Sequence, residues 1–507
     1  MSAIGKLPLG WQWTDFPSVA TIASNLVDPS DHGSKPHIAP DHIERNTGRL
    51  LAYRTIREDK VTSPKHHFRP GQLLYSKIRP YLNKCVRITF TGLCSADIYP
   101  LDSHINPDYL LAYILSDDFV TSVVSAAGSR TVLPKVNQEQ LAEVQVPVAP
   151  EREQQRIVEA LDSYLSRLDS AVASLQKVQT KLKAYRASVL KAAVEGRLVP
   201  TEAEIARREG RDYEPASVLL ARILKERRRR WEEAELARMK KAGKPPKDDA
   251  WKTKYQEPEA PDTSKLPLLP EGWCWASVDQ LTDGGRRLAY GVLVPGEDLA
   301  GGVPFIRVGD LRDGTVDTTE LKYIARSVAD QFPRTYVMGG EVLISLVGTI
   351  GRTAIVPRSL AGANVARAVG MFPSTSMASE RWIEIWFRSP STRAELDGKA
   401  HEVARKTLNL EDVRIAAVAI PPRTEQERIV SEVEDLDSVA LAQESSVVSN
   451  LQRLARLRQS ILKWAFEGKL VDQDPNDEPA EELLARIRAE RAAAPMTKTR
   501  GRKAKSS

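Results

Sequence analysis

Two short stretches carry the residue types best suited to chemistry, and each follows an apolar run. Ser76-Lys77-Ile78-Arg79-Pro80-Tyr81-Leu82-Asn83-Lys84 puts two Lys, an Arg, an Asn and a Tyr within nine residues. Lys and Arg contact phosphates or guanine edges, and Asn can pair bidentately with adenine. The corresponding stretch further on is Ser345-Leu346-Val347-Gly348-Thr349-Ile350-Gly351-Arg352, where two glycines allow close backbone approach. Each is followed by a basic segment leading to an Asn: Arg130 to Asn137, with Lys135, and Arg405-Lys406-Thr407-Leu408-Asn409. The candidate nucleic-acid contacts are therefore Ser76, Lys77, Arg79, Tyr81, Asn83, Lys84, Arg130 and Lys135 in the first half. In the second they are Ser345, Thr349, Arg352, Arg405 and Lys406, with Arg307 at the end of the run Val303-Pro304-Phe305-Ile306-Arg307-Val308. For any single residue the alternative is a turn with solvated cations.

Other chemistries find no constellation. Gly348-Thr349-Ile350-Gly351-Arg352-Thr353 is not a phosphate-binding P-loop, which needs four residues between its glycines and then Lys. His32, His37 and His42 are spaced by five, unlike helical ligand pairs, and Cys85 with Cys94 is no zinc pair. Neither a Gly-rich nucleotide loop nor HExxH occurs, and Ile420 before Pro421-Pro422 excludes the Asn/Asp-Pro-Pro-aromatic motif of amino-methyltransferases. Catalytic, cofactor and metal residues are all expected to be absent. The 507 residues carry 73 Lys+Arg against 67 Asp+Glu, a net charge of +6 compatible with a nucleic-acid ligand. Three cysteines imply a reducing compartment. With no apolar leader and no run of membrane-spanning length, a cytoplasmic protein is expected.

The elements that must position these loops repeat. Pro150–Val199 recurs as Pro422–Val471 at a constant offset of 272 residues: Glu153-Gln154-Gln155-Arg156-Ile157-Val158 on Glu425-Gln426-Glu427-Arg428-Ile429-Val430, and Glu195-Gly196-Arg197-Leu198-Val199 on Glu467-Gly468-Lys469-Leu470-Val471. Each copy predicts one long helix, with proline before it and glycine at its end. Apolar residues at Ile157, Leu161, Tyr164, Leu168, Ala171, Leu175, Val178, Leu182, Tyr185 and Val189 form a heptad seam. It recurs at Ile429, Val433, Leu436, Ala440, Gln443, Val447, Asn450, Leu454, Leu457 and Ile461, with Gln443 and Asn450 as polar seam positions. Each helix predicts the other as its coiled-coil partner.

Two further repeats frame the helices: Leu7-Pro8-Leu9-Gly10-Trp11-Gln12-Trp13 returns as Leu269-Pro270-Glu271-Gly272-Trp273-Cys274-Trp275, and Glu214-Pro215-Ala216 as Glu478-Pro479-Ala480. The Trp pairs read as hydrophobic plugs. The chain therefore divides into a domain at 1–149, a helix at 150–199, a charged helix and linker at 200–265, a second domain at 266–421, a second helix at 422–472, and a short helix with a basic tail at 473–507. Each domain mixes short strands with one helical stretch, near Pro107 to Ser125 and Glu380 to Asp397. The run Arg227-Arg228-Arg229-Arg230 and the tail could add phosphate affinity. The domains share little sequence, which suggests one scaffold presenting two readers.

In this duplicated order the motifs closely resemble the specificity subunit of type I restriction–modification enzymes. The resemblance rests on the Leu-Pro-x-Gly-Trp openings, the two loops, Pro150-x-x-Glu153-Gln154 and Pro422-x-x-Glu425-Gln426, and the Glu-Gly-(Arg/Lys)-Leu-Val ends, over nearly the whole chain. It implies an α+β fold: two α/β target-recognition domains in pseudo-twofold arrangement, separated by two long antiparallel coiled-coil helices. Each domain would read one half of a split double-stranded DNA site. Two modification subunits, binding S-adenosylmethionine, would methylate adenine at N6, and restriction subunits would add ATP- and Mg-dependent translocation and cleavage; no cofactor is expected in this chain. The long insert around 225–265 and the basic tail depart from the family pattern. The competing classes are a self-contained DNA methyltransferase, which would bind S-adenosylmethionine alone, and a protein-only coiled-coil scaffold, which heparin retention and a salt-sensitive gel shift would separate.

Overall fold

The computed structural model describes residues 6–127, 134–375, 377–402 and 406–493. The chain forms two compact units, Met1–Lys177 with Val447–Ser507, and Val178–Ser446. Each long helix, Glu151–Val194 and Arg423–Phe466, gives its first part to one unit and its last part to the other.

In the first unit, strand Gln12–Asp15 pairs antiparallel with Gln145–Val148, so the domain's first and last strands close at the head of the helix. A four-stranded sheet runs in the order Ala20–Ile22, Ile98–Ser103, Leu73–Ser76, Cys85–Arg87, beside a five-stranded sheet built on Lys65–Phe68 and Gly92–Cys94. The second unit repeats the plan with different sequence. Cys274–Ser277 pairs with Ala417–Ile420, and the four-stranded order is Ala289–Tyr290, Val369–Phe372, Val342–Ser345, Thr353–Ile355. In both four-stranded sheets the strand bearing the chemistry-rich loop is central and buried at every position, Leu73–Ser76 and Val342–Ser345.

The single helical stretch expected in each domain is two helices. Pro107–Ile114 is followed by Asp117–Ala127, and Glu380–Arg388 by Pro390–Lys399. The breaks follow from capping. Ser116 Oγ donates to Tyr113 O and accepts from Phe119 N, while Ser389 takes extended geometry before Pro390 and caps Thr392 N. Serine and proline favour such starts over helix interiors.

The repeated motifs converge in each unit. Trp11 Nε1 donates to Glu153 Oε2 at 3.0 Å, and Trp273 Nε1 to Glu425 Oε1 at 2.8 Å. The next residue ties helix to domain. Gln154 donates to Ala149 O and accepts from Asn106 N, while Gln426 donates to Pro421 O and accepts from Ser379 N. Gly196 and Gly468 end the long helices at φ +66° and +65°, and a Cβ there would lie 2.5 Å from Pro270 and 2.3 Å from Pro8, prolines of the two openings. Ala216 N bonds Gly272 O, and Ala480 N bonds Gly10 O, both at 2.8 Å. The Glu-Gln pair, the glycine and the Leu-Pro-x-Gly-Trp opening are thus parts of one joint.

Within each unit the start of one long helix packs on the end of the other, so the pairing is antiparallel. Ile157, Leu161 and Leu168 share a core with Ile461, Leu462 and Phe466; Val189, Leu190 and Ala193 share one with Ile429 and Val433. The heptad reading needs correction at six positions. Tyr164, Val178, Tyr185, Gln443, Asn450 and Leu457 are exposed, and the inward residues there lie one place later, at Leu165, Gln179, Arg186, Glu444, Leu451 and Arg458, while Ala171 and Leu436 stay partly buried beside Val172 and Asp437, Leu436 against the second unit's core. The step from Ile157 through Leu161 and Leu165 to Leu168 inserts four residues into the heptad, an eleven-residue interval that unwinds the supercoil locally. Leu175, Leu182 and Leu454 stay partly buried on the inward ladder.

The charged segment is partly docked. Helix Ala216–Lys241 stacks Trp231 on Trp251 with ring centres 6.0 Å apart, and Ser277 Oγ donates to Glu259 O. Its arginine run is neutralised within the unit. Arg227 pairs with Asp279, Arg228 with Glu232, Arg229 with Glu226 and Arg230 with Asp283. The run is therefore not a free phosphate-binding face. The basic tail after Pro495 lies outside the described residues.

Candidate nucleic-acid interface

In each domain a hairpin loop leaves the buried central strand. Ser76 N bonds Lys84 O at 2.9 Å across the first loop, and Ser345 N bonds Arg352 O at 2.8 Å across the second. A distant segment then joins each loop through the same two bonds. Val136 N donates to Lys77 O at 2.9 Å and Arg79 N to Pro134 O at 2.8 Å; Leu408 N donates to Leu346 O at 2.8 Å and Gly348 N to Lys406 O at 2.9 Å. The two basic regions of each half are thus brought together, in congruent geometry, by domains of dissimilar sequence. Arg130 and Arg405 lie outside the described residues.

The congruence exposes a conformational cost. Gly348 has φ +79°, and its counterpart Arg79 has φ +48°. A left-handed conformation comes easily to glycine and disfavours an arginine. Asn83 at the other end of the Pro80–Leu82 turn also has positive φ, +44°. Strained non-glycine residues of this kind cluster at functional sites.

The side chains separate into three groups. Ser76, Asn83 and Ser345 are buried, which corrects the expectation that they meet a ligand directly in this conformation. Ser345 Oγ donates to Thr349 O and accepts from Arg352 N, shaping the loop, whereas the Asn83 amide has no hydrogen-bond partner among the described residues. A second group is tied to the protein. Lys84 Nζ donates to Pro40 O at 2.7 Å, Lys135 pairs with Asp97 at 3.1 Å, Lys406 with Asp397 at 2.6 Å, and Lys77 Nζ sits 5.0 Å over the Tyr99 ring. Burial and the Asp97 carboxylate push the Tyr99 phenol pKa up. Arg307 is locked on Asp310 through Nε and Nη2, so its availability is corrected as well. The third group is open: the Arg79, Tyr81, Thr349 and Arg352 side chains reach solvent with no side-chain partner among the described residues.

A contact that sequence did not signal is the turn Glu44–Arg49. Asn46, itself at φ +59°, donates its backbone N–H to Asn83 O at 3.0 Å and braces the first loop from behind. Among the described residues no group of three or more His, Cys, Asp or Glu could hold a metal ion. His37 is engaged by Asp59 at 2.7 Å. No single helix there is long and apolar enough to cross a membrane.

No protein-family model matches the chain. A curated relative does: the specificity subunit of the type I restriction enzyme EcoBI of Escherichia coli is 32% identical over 381 residues, 73% of this chain and 70% of that one. The chain belongs to the type I restriction enzyme specificity subunits. The EcoKI specificity subunit of Escherichia coli strain K12 is 24% identical over 97% of this chain and 98% of its own. A solved structure, described as showing complex assembly and conformational transition of the type I R-M system, matches 92% of this specificity subunit and 100% of that chain. At 18% identity and a TM-score of 0.62 it is a likeness of fold. The role of this specificity subunit is recognition within a type I restriction–modification system, and the paired loops are the natural place to look for it.

Proposed function

We propose that this specificity subunit reads a split double-stranded DNA site, one half per domain, through the paired loops. The observation that carries the proposal is the congruent backbone geometry that joins Lys77–Arg79 to Pro134–Val136 and Leu346–Gly348 to Lys406–Leu408. One framework holds two different sets of side chains, as two readers of different base sequences require. Arg79 and Tyr81 would serve the first half-site, and Thr349 and Arg352 the second. Arginine matches guanine edges or phosphate, and the tyrosine and threonine hydroxyls bond bases or backbone.

Catalysis is assigned to partners. Two modification subunits supply S-adenosylmethionine and adenine-N6 methylation, and restriction subunits supply ATP- and Mg-dependent cleavage; this chain directs both to the site. The test is reconstitution. Duplex containing the target should be labelled with methyl groups by this chain together with a modification subunit, and not by either alone. Binding should weaken steeply with salt, since each phosphate contact releases counterions and adds about 0.9 to the magnitude of the logarithmic slope. Robust labelling by the purified chain alone would overturn the assignment.

A further inference from the structure

In each unit one aspartate of a long helix is held at once by an arginine of the recognition domain and an arginine of the other long helix. In the second unit Arg388 Nη2 lies 2.8 Å from Asp437 Oδ2, and Arg186 Nε lies 3.2 Å from Asp437 Oδ1. In the first unit Arg49 takes Asp169 Oδ2 and Arg458 takes Asp169 Oδ1. Arg186 and Arg458 are equivalent in the 272-residue repeat, but the aspartates are not. The counterpart of Asp437 is Leu165, and that of Asp169 is Leu441, one helical turn displaced. The domain arginines come from unrelated segments, one at the end of helix Glu380–Arg388 and one on the turn Glu44–Arg49. The triad is therefore not copied with the repeat; each half reaches the same arrangement with different residues.

Both triads continue to the reading loops. Arg388 also faces Glu384, which accepts from Thr353 Oγ1 at 2.8 Å, and Thr353 directly follows Arg352. Burial pushes the Glu384 pKa up. In the first unit Arg49 O accepts from Glu44 N, and Asn46 on the same turn donates to Asn83 O in the loop. A carboxylate shared by two guanidinium groups makes directional, charge-assisted bonds. The Asp437 and Asp169 side chains are 14% and 27% exposed, so salt screens these bonds less than a surface pair. Removing Asp169 would leave Arg49 and Arg458 facing each other without a carboxylate, and removing Asp437 would leave Arg388 and Arg186 with only the longer contacts to Glu384 at 3.7 Å and Glu444 at 3.6 Å.

We propose that Asp437 and Asp169 are positioning residues for DNA recognition. Each fixes its own domain's reading loop against the helix pair, and so governs how strictly the gap between half-sites is measured rather than which bases are read. This rests on the split-site reading above. The experiment uses the complex with its modification subunits, and compares wild type with Asp437→Asn and Asp169→Asn. Methylation rates are taken on duplexes with the native gap, on duplexes with one base pair more or less, and on duplexes with single base changes in either half.

The expected result is a loss of rate at the native gap of about tenfold, the scale of a small misplacement. Rates at the altered gaps fall less, so gap discrimination collapses while base discrimination is kept. Asp437→Glu, which keeps the charge, restores part of the discrimination. Simple destabilisation would lower all rates by one factor, and that result overturns the proposal; so does a changed base preference. If Asp437→Asn fails to fold, Asp169→Asn, in the more exposed triad, decides by the same criteria. If wild type itself ignores the second half-site, the split-site reading fails instead.

Discussion

Arg79 occupies a backbone position where the other domain uses Gly348, and the difference has a measurable consequence. A left-handed L-residue costs roughly 1–2 kcal/mol, and glycine gives back about 0.5–1 kcal/mol through unfolded-state freedom. Arg79→Gly should therefore raise stability by about 0.5–1 kcal/mol in thermal melts while weakening DNA binding. A variant both less stable and unimpaired in binding would remove the case for strain retained for function. The strand before this cluster of donors was legible in the sequence, and the fold has it at Leu73–Ser76. The sequence could not sort the donors, because the partners that bury or tie Lys84, Lys135 and Lys406 are Pro40 O, Asp97 and Asp397, and the fold chooses them. Two residues of the arginine run are a similar case: the partners of Arg227 and Arg230, Asp279 and Asp283, lie some fifty residues further along the chain.

At the scale of elements, the heads of the long helices bury carboxylates. Burial raises the pKa of Glu153 and Glu425 above the ordinary 4.5, although the indole and other hydrogen bonds oppose it. As pH rises from 4.5 the unfolded chain loses these protons first, so their contribution to stability falls until the folded groups also ionise. Glu153→Gln keeps an acceptor for Trp11 and should flatten that slope, so that less stability is lost as pH rises. Glu425→Gln should behave differently. Glu425 accepts from Trp273 on one oxygen and from Glu202 N on the other, and an amide can serve only one of them. The unmatched N–H costs about 1–3 kcal/mol. Melts of both variants from pH 4 to pH 8 check this; identical behaviour would contradict the assigned bonding. The helices themselves were legible from proline, glycine and the Leu161, Leu168, Leu175, Leu182 ladder. The four-residue insertion was not, because Tyr164 and Leu165 are both apolar, and only packing decides which one turns inward.

At the scale of the molecule, each unit draws on both halves of the sequence. The C-terminal helix Ala480–Ala493 buries Leu483, Leu484 and Ile487 in the core of the N-terminal domain, and Ala216–Lys241 buries Leu219 and Ile223 in that of the second. The duplicated motifs made this plan visible in the sequence, since every one of them belongs to the joint where domain and helices meet. The shared topology of the two domains was legible only as what the resemblance implied and not from their residues, because it is carried by backbone pairing between strands of unlike composition. The central claim is that two separable readers share one framework. It is tested most directly by mapping adenine methylation across the genome of a strain expressing this chain with the modification subunit proposed as its partner. Wild type is compared with Arg79→Ala/Tyr81→Ala and Thr349→Ala/Arg352→Ala. The expected result is a two-part methylated motif in which the first variant relaxes or weakens one part only and the second variant the other part only. Two variants that alter the same part, or a single variant that alters both, would contradict it.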